Sequence, residues 1–354
     1  MDVVRVGMIG LGGVGTWGHL HGYEEIPEQA KLVAFCDTNP GVINEPARIH
    51  GAKTYSDYNE LLADPKIDIV DICVPHFLHG RIALAAVKAG KNVICEKPFT
   101  TTLDQADAII AAAKDKGVKL MVAENTRFVR AYQVAHDFVA KEAIGKLCFA
   151  RTYLGGSEIY RLSNPENWIG KKKTAGGGVM FDAGVHSFYL LRWMVGEMAS
   201  VQATTITFLK ELYQDVEDNA MGIIHFKNGA IANFSLSNTT EAPWTERLEL
   251  FGTKGSIIVD MLAERPVQVF SSKNRSDDMS DWWTHYGDVG WMEPYISHSA
   301  LEWKPTSMRR EVQHFVECVL ENSQPLVTGE DGRRDVEISL KCYESARLGK
   351  EVPV

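Results

Sequence analysis

The 354-residue sequence predicts an α/β protein whose N-terminal part is a doubly wound, mostly parallel sheet. Three observations lead there. A short β-branched run at residues 3–9 enters a glycine-rich turn, Gly10-Leu11-Gly12-Gly13-Val14-Gly15. A second apolar run at 31–36 ends in Asp37, 22 residues after Gly15. Beyond it, short apolar runs alternate with stretches of helical length as far as residue 123.

The glycine turn matches G-x-G-x-x-G, a weak pattern alone. It gains weight from the strand before it, the helix expected through about residue 25, and the acidic residue closing the next strand. Each position has a physical task. Gly10 permits the tight turn, Gly12 lets backbone amides approach a pyrophosphate, and Gly15 allows close helix–strand packing. Gly13 and Val14 complete the loop, whose amides point at the ligand from the positive end of the helix. Asp37 accepts from ribose hydroxyls and repels a 2′-phosphate. No Arg or Lys follows in Asp37-Thr38-Asn39-Pro40, so NAD is favoured over NADP.

Further βα units continue the sheet. Residues 67–74 form a strand ending at Pro75, followed by a helix over about 79–89 with Gly90 as its stop. Residues 92–96 are a strand. A helix over about 103–116 is capped by Thr102 and stopped by Gly117, and 118–123 is the next strand. Ligands in such sheets meet the carboxyl ends of the strands. Residues there become candidates: Pro75 and His76, Glu96 and Lys97, Glu124 and Asn125. Lys97 precedes Pro98, which biases it toward an extended conformation. It then either projects into a cleft as a donor to a substrate hydroxyl or begins a surface loop; spacing leaves both open.

Composition sets limits. The chain is 45% hydrophobic and 23% charged, as soluble globular proteins are, and its length suits two domains. The net charge of −9 lacks the basic footprint of a nucleic-acid binder and of a polybasic membrane anchor. The start, MDVVRVGMIG, lacks the basic opening and long apolar stretch of a signal peptide, and no run reaches the length of a membrane helix. The six cysteines (Cys36, Cys73, Cys95, Cys148, Cys318 and Cys342) form no C-x-x-C pair and mostly sit in apolar runs. Reduced, buried thiols in a cytoplasmic protein are expected, not disulfides or a zinc site.

A second glycine-rich segment, Gly176-Gly177-Gly178, opens an apolar stretch read as one helix over about 178–194 and closed by Gly196. Asp182 and His186 are i and i+4, hence on one face. A His near a helix N-terminus tends to be neutral, as a general base must be. Asp182 orients the ring or binds a substrate hydroxyl. A local pair that merely supports the helix fits the spacing equally.

Taken together these residues resemble the glucose–fructose oxidoreductase/inositol dehydrogenase (Gfo/Idh/MocA) family. The matching pieces are GLGGVG at 10–15, the strand ending in Asp37, VPHFLHG at 74–80 and AGKNVICEKP at 89–98. NTRF at 125–128, GGGVMFDAGVH at 176–186, EDNAMGIIHFKNGA at 217–230 and FGTKGS at 251–256 follow, and the ending from about residue 315 matches as well. The resemblance covers essentially the whole chain. It implies catalytic Lys97, Asp182 and His186, all three also touching substrate, and it resolves the open readings of Lys97 and of the Asp182/His186 pair. Gly10, Gly12, Gly13, Val14, Gly15, Asp37, Pro75, His79, Glu96, Lys97 and Asn125 are expected on the cofactor side. Arg127 and Trp168 are expected at the substrate rim. His76 stands where the family often has a small or amide residue, and both a ligand contact and a structural role remain open for it. Lys171-Lys172-Lys173 reads as a solvated loop.

The resemblance also implies an NAD-binding Rossmann domain over 1–125 and an α/β domain with a large open, mainly antiparallel sheet over 126–310. A segment over 311–354 is expected to pack back on the Rossmann domain. The strand patterns at 147–153, 201–208, 220–225 and 230–237 alternate as such a sheet requires, and Asn228-Gly229 is a hairpin signal. The outer sheet face is expected to build homo-oligomers, dimers or larger.

The implied activity is NAD-dependent oxidation of a secondary hydroxyl on a sugar, glycoside or cyclic polyol. No metal is needed, because Lys97 supplies the polarising charge. Two alternatives accompany it: a glycoside 3-oxidase or redox-assisted deglycosylating enzyme that recycles a tightly held NAD, and a non-catalytic NAD-binding member. One segment is compositionally uneven. Trp282, Trp283, Tyr286, Trp291, Tyr295 and Trp303 crowd a single window holding four of the chain's eight tryptophans. Such aromatics stack on sugar faces or fill an oligomer interface, and either reading suits the window.

Overall fold

The computed structural model describes residues 3–210, 215–264, 266–271 and 303–354. They divide into two compact units. The first comprises residues 3–128, 171–176 and 304–337; the second comprises 129–170, 338–354 and the described part of 177–303.

In the first unit, strands β1 (Val4–Ile9), β2 (Ala30–Cys36), β3 (Lys53–Tyr55), β4 (Ile69–Ile72), β5 (Asn92–Glu96) and β6 (Leu120–Ala123) form one sheet. Its order is β3-β2-β1-β4-β5-β6, with every neighbouring pair parallel. The order reverses between β1 and β4, and an open parallel sheet binds its ligand at the carboxyl ends beside such a switch. The strands are apolar on both faces because helices cover both: all four residues of β4 and all but Asn92 of β5 are buried. The helices start and stop where local chemistry dictates. Asn39 accepts from the Gly41 amide, and Thr102 from the Gln105 amide. Gly117 closes the Leu103–Lys116 helix in the left-handed region at φ +66°. The helix after β1 covers residues 13–24 and widens to π-type bonding over Gly15–Leu20. The helix at β4 begins earlier than its apolar pattern suggests, spanning His76–Lys88 directly after Pro75.

The second unit holds β7 (Leu147–Gly155), β8 (Met198–Ile206), β9 (Asn219–Phe226), β10 (Ile231–Ser237), β11 (Thr245–Gly252), β12 (Gly255–Asp260), β13 (Val267–Ser271) and β14 (Val352–Pro353). Their order is β13-β12-β11-β7-β10-β9-β8-β14; β7 and β10 are parallel and the other pairs antiparallel. The predicted hairpin is present: Asn228-Gly229 joins β9 to β10, with Gly229 at φ +87°. One face packs on the helices Arg130–Ala140 and Gly184–Val195, burying Tyr132, Phe188 and Leu191 with Leu154, Phe234 and Leu248. Phe188 meets Phe234 edge-on at 5.2 Å. Burial of each such side chain is worth about 1.5–3 kcal/mol. The other face leaves Ile206, Met221, Ile223 and Ile231 exposed, alternating along β9 with the buried Ala220 and Ile224.

Among the described residues no helix is long and apolar enough to cross a membrane. Trp282, Trp283, Tyr286, Trp291 and Tyr295 lie outside the described residues; Trp303 opens the helix Trp303–Glu321.

Candidate active site

On the first unit, the end of β1 turns sharply at Gly10, at φ +90°, where a Cβ would overlap the Cys73 carbonyl oxygen. A Cβ on Gly15 would likewise overlap the Gly10 carbonyl oxygen. Gly12 is different: nothing lies within 4 Å of the position its Cβ would take, and both Gly12 and Gly13 are exposed. Two glycines therefore close the turn and a third keeps an open approach to the backbone. Asp37, half-buried at the end of β2, is fixed by two amides: Leu11 N–H donates to Oδ2 at 3.0 Å and Asn39 N–H to Oδ1 at 2.8 Å. Each carboxylate oxygen keeps capacity for a further donor such as a ribose hydroxyl. Val14 lies in the first turn of the following helix, half-buried.

The neighbouring strand ends supply the rest. Pro75 is the residue before the His76–Lys88 helix. His79 is fully buried, its Nδ1 2.8 Å from the Pro98 carbonyl oxygen and its Nε2 2.8 Å from that of Val74. Burial lowers its pKa, which favours the neutral ring. His79 thus ties the end of β4 to the turn after β5, and its bearing on the site runs through backbone. His76 is buried as well, with Nδ1 2.8 Å from the Ala175 carbonyl oxygen. Lys97, half-buried, follows β5 and joins Pro98 through a cis peptide. Its amide donates to Glu96 Oε2 at 2.9 Å. Asn125 is buried and donates from Nδ2 to Ser307 Oγ at 3.0 Å, on the returning Trp303–Glu321 helix. Arg127 is half-buried in the tight turn Asn125–Phe128.

On the second unit, the stretch read as one helix is two, Val179–Asp182 and Gly184–Val195. They part at Ala183, whose carbonyl receives the His186 amide three residues on, a tighter turn than the α-helical bond. The entry is held from below. The Glu217 carboxylate accepts from the Gly178 amide at 3.1 Å, the Met180 amide at 2.9 Å and the Tyr343 hydroxyl at 2.7 Å. Burial raises the pKa of Glu217, against these three donors. A Cβ on Gly177 would overlap the Tyr343 hydroxyl, and one on Gly178 the Glu217 carbonyl, so the glycines are what the clamp demands. Asp182 and His186 are both partly exposed beyond it, and Trp168 sits half-buried in the turn Trp168–Gly170.

Arg161 was invisible to the motif reading. Its Nη2 donates to Asp182 Oδ2 at 3.0 Å and its Nε lies 2.9 Å from Glu158 Oε2. Burial opposes the charge, but Asp182 and Glu158 outweigh it and hold the guanidinium pKa above its ordinary value. The only sequence hint is a single cation in the loop between β7 and Trp168.

Known proteins carry the same architecture. A family model described as an oxidoreductase family with an NAD-binding Rossmann fold matches residues 4–124, and the GFO/IDH/MocA C-terminal domain matches residues 132–258. The chain belongs to the Gfo/Idh/MocA family. Its first unit is accordingly an NAD-binding Rossmann domain, which the open Gly12 approach and the fixed Asp37 carboxylate fit, and the protein is an oxidoreductase acting on CH–OH groups. Among the Gfo/Idh/MocA relatives, a levoglucosan dehydrogenase of Pseudarthrobacter phenanthrenivorans is 32% identical over 78% of this chain and 78% of its own. A scyllo-inositol 2-dehydrogenase (NAD+) of Bacillus subtilis is 30% identical over 99% of this chain and 96% of its own. A solved levoglucosan dehydrogenase in complex with NADH and levoglucosan superposes with a TM-score of 0.87, at 28% identity, covering 100% of this chain and 99% of that one.

Proposed function

We propose that this oxidoreductase oxidises a secondary hydroxyl of an uncharged sugar, glycoside or cyclic polyol, with Lys97, Asp182 and His186 as its reacting side chains. The observation that carries the reading is that Lys97 follows β5 and that Asp182 and His186 lie at a clamped helix entry, in the order of the family motifs. Support for the substrate class comes from the relatives, whose names are those of enzymes acting on an inositol and an anhydrosugar.

Oxidation removes a hydride from carbon and a proton from oxygen. Gly10 to Gly15 and Asp37 would hold NAD, which would supply the hydride acceptor, and Pro75, His79, Glu96 and Asn125 would shape or brace its surroundings. His186 takes the hydroxyl proton as general base. The Lys97 ammonium donates to the same oxygen and stabilises the developing alkoxide charge as the proton leaves. Asp182, ion-paired with Arg161, binds a neighbouring hydroxyl. Arg127 and Trp168 line the substrate rim.

We assign the exposed apolar face of β8–β10 to self-association, and an aspartate at both Met221 and Ile223 should then lower the mass seen by light scattering. The buried, unpaired cysteines Cys36, Cys73, Cys95, Cys318 and Cys342 suit a reducing, cytoplasmic setting. The test of function is a panel of inositols, aldoses, anhydrosugars and aryl glycosides followed at the NADH absorbance, with and without added NAD. Net NADH formation that needs added NAD is the expected result. Turnover without added NAD would replace the reading by internal cofactor recycling, and no reduction by any member would replace it by a non-catalytic NAD-binding role.

A further inference from the structure

His19, Asp71 and Glu311 form a cluster of titratable groups that this mechanism leaves unused. His19, on the helix after the glycine turn, has no solvent exposure. Its Nδ1 lies 2.8 Å from Asp71 Oδ2, in the middle of β4, and its Nε2 lies 3.2 Å from Glu96 Oε1, at the end of β5. Both ring nitrogens face carboxylate oxygens. A doubly protonated ring would donate to both. Burial opposes that charge, but Asp71 and Cys73 outweigh it and the ring's pKa lies well above the ordinary value. A third acid, Glu311 of the returning helix, is 3.8 Å from the same Nε2, fully buried, and neither of its oxygens has a hydrogen-bond partner. Burial pushes its pKa well above the ordinary value.

The chain of contacts has a direction. Asp71 holds His19, His19 holds Glu96 Oε1, and the other oxygen of that carboxylate receives the Lys97 amide at 2.9 Å. An ordinary strand end would leave such an amide to water. Here a buried Glu96 side chain, itself contacted by the buried His19 ring, receives the amide where the backbone of Lys97 emerges. A side chain that must donate to a reacting oxygen depends on that placement, since an error of about 1 Å in position can cost about 100-fold in rate.

We propose that His19 is a positioning residue of the reaction, acting through Glu96 on Lys97. The proposal rests on the reading that Lys97 donates to the reacting hydroxyl. In the full chain, His19→Phe removes both contacts. His19→Gln keeps one side-chain donor for Glu96, and Asp71→Asn leaves the imidazole but removes its anion. Lys97→Met runs alongside. Each variant is compared for melting temperature, NAD affinity, and kcat and KM on whichever inositol or anhydrosugar the native enzyme oxidises. Exchange of the Lys97 amide is followed by hydrogen–deuterium exchange, which needs no substrate.

His19→Phe should stay folded with native NAD affinity and KM, lose about 10- to 100-fold in kcat, and exchange the Lys97 amide faster. His19→Gln should recover part of both losses. The proposal is overturned if His19→Phe keeps native kcat, if the Lys97 amide exchanges as before, or if activity falls only in proportion to folded protein. A His19→Phe and an Asp71→Asn that both fail to fold would assign the cluster to the fold instead, which also overturns it. The control separates the two layers. If Lys97→Met keeps its turnover, the reading of Lys97 fails; if it loses turnover while the His19 variants keep theirs, only the role of His19 fails.

Discussion

In the first unit the features proposed to hold the cofactor are largely backbone: a turn closed by Gly10 and Gly15, an open approach at Gly12, and the amides of Leu11 and Asn39 that fix Asp37. In the second unit the proposed positions are side chains at a short helix entry: Asp182, His186 and the Arg161 that reaches Asp182 from another loop. The first arrangement suits a ligand that is always the same, since backbone shape admits little variation. The second suits a ligand that differs between relatives, since side chains are exchanged without rebuilding the sheet beneath them. Glycines serve packing in both units: Gly10, Gly15 and Gly178 make room for backbone carbonyls, and Gly177 for the Tyr343 hydroxyl.

Substitutions can break or sharpen this division. The largest expected effect is in the second unit: His186→Ala should lower kcat by about 10²- to 10⁴-fold, the range of a lost general base, while titration shows native NAD affinity. An equal loss of NAD affinity would mean that the helix entry serves the cofactor as well. Next come the glycines of the first unit. Gly12→Val should keep the native melting temperature yet lose NAD binding. Gly15→Val forces atoms onto the Gly10 carbonyl and should destabilise the protein by about 1–3 kcal/mol or more in thermal denaturation. If both variants melt alike, the open space at Gly12 has no ligand-related meaning. The smallest effect is at Arg161, whose side chain is 44% exposed. Arg161→Gln should raise KM for the sugar or polyol by up to about fivefold, the worth of a partly exposed ion pair, and leave NAD affinity unchanged. An unchanged KM would leave the ion pair as surface decoration.

The two units also differ in how far their sequence discloses them. In the first, strand burial on both faces writes continuous apolar runs, caps are explicit in Thr102 and Gly117, and the acidic residue sits at the end of β2. In the second, β11 escaped the pattern reading because buried charge interrupts it. Glu246 and Glu249 are buried within it, Glu246 accepting from the Trp244 indole and Glu249 paired with Arg151 and Arg247. Spacing suggested an unbroken helix from 178 to 194, but the tight turn at Ala183 depends on a main-chain hydrogen bond that no residue pattern encodes. Arg161 and His19 share a different obscurity. Arg161 meets Asp182, and His19 meets both its acids, only through tertiary structure, His19 being 52 residues from Asp71 and 77 from Glu96. The candidates Lys97, Asp182 and His186 were legible because motif order, not local propensity, singles them out.

The central claim, that Lys97 donates to the reacting hydroxyl, is tested most directly by Lys97→Met. Turnover is measured at saturating NAD on a sugar or polyol that the native enzyme oxidises, beside NAD affinity and melting temperature. The account predicts native folding and NAD binding with kcat lowered by about 10²- to 10³-fold, the cost of removing a donor to a developing oxyanion. A folded, NAD-binding Lys97→Met protein with near-native turnover would contradict it.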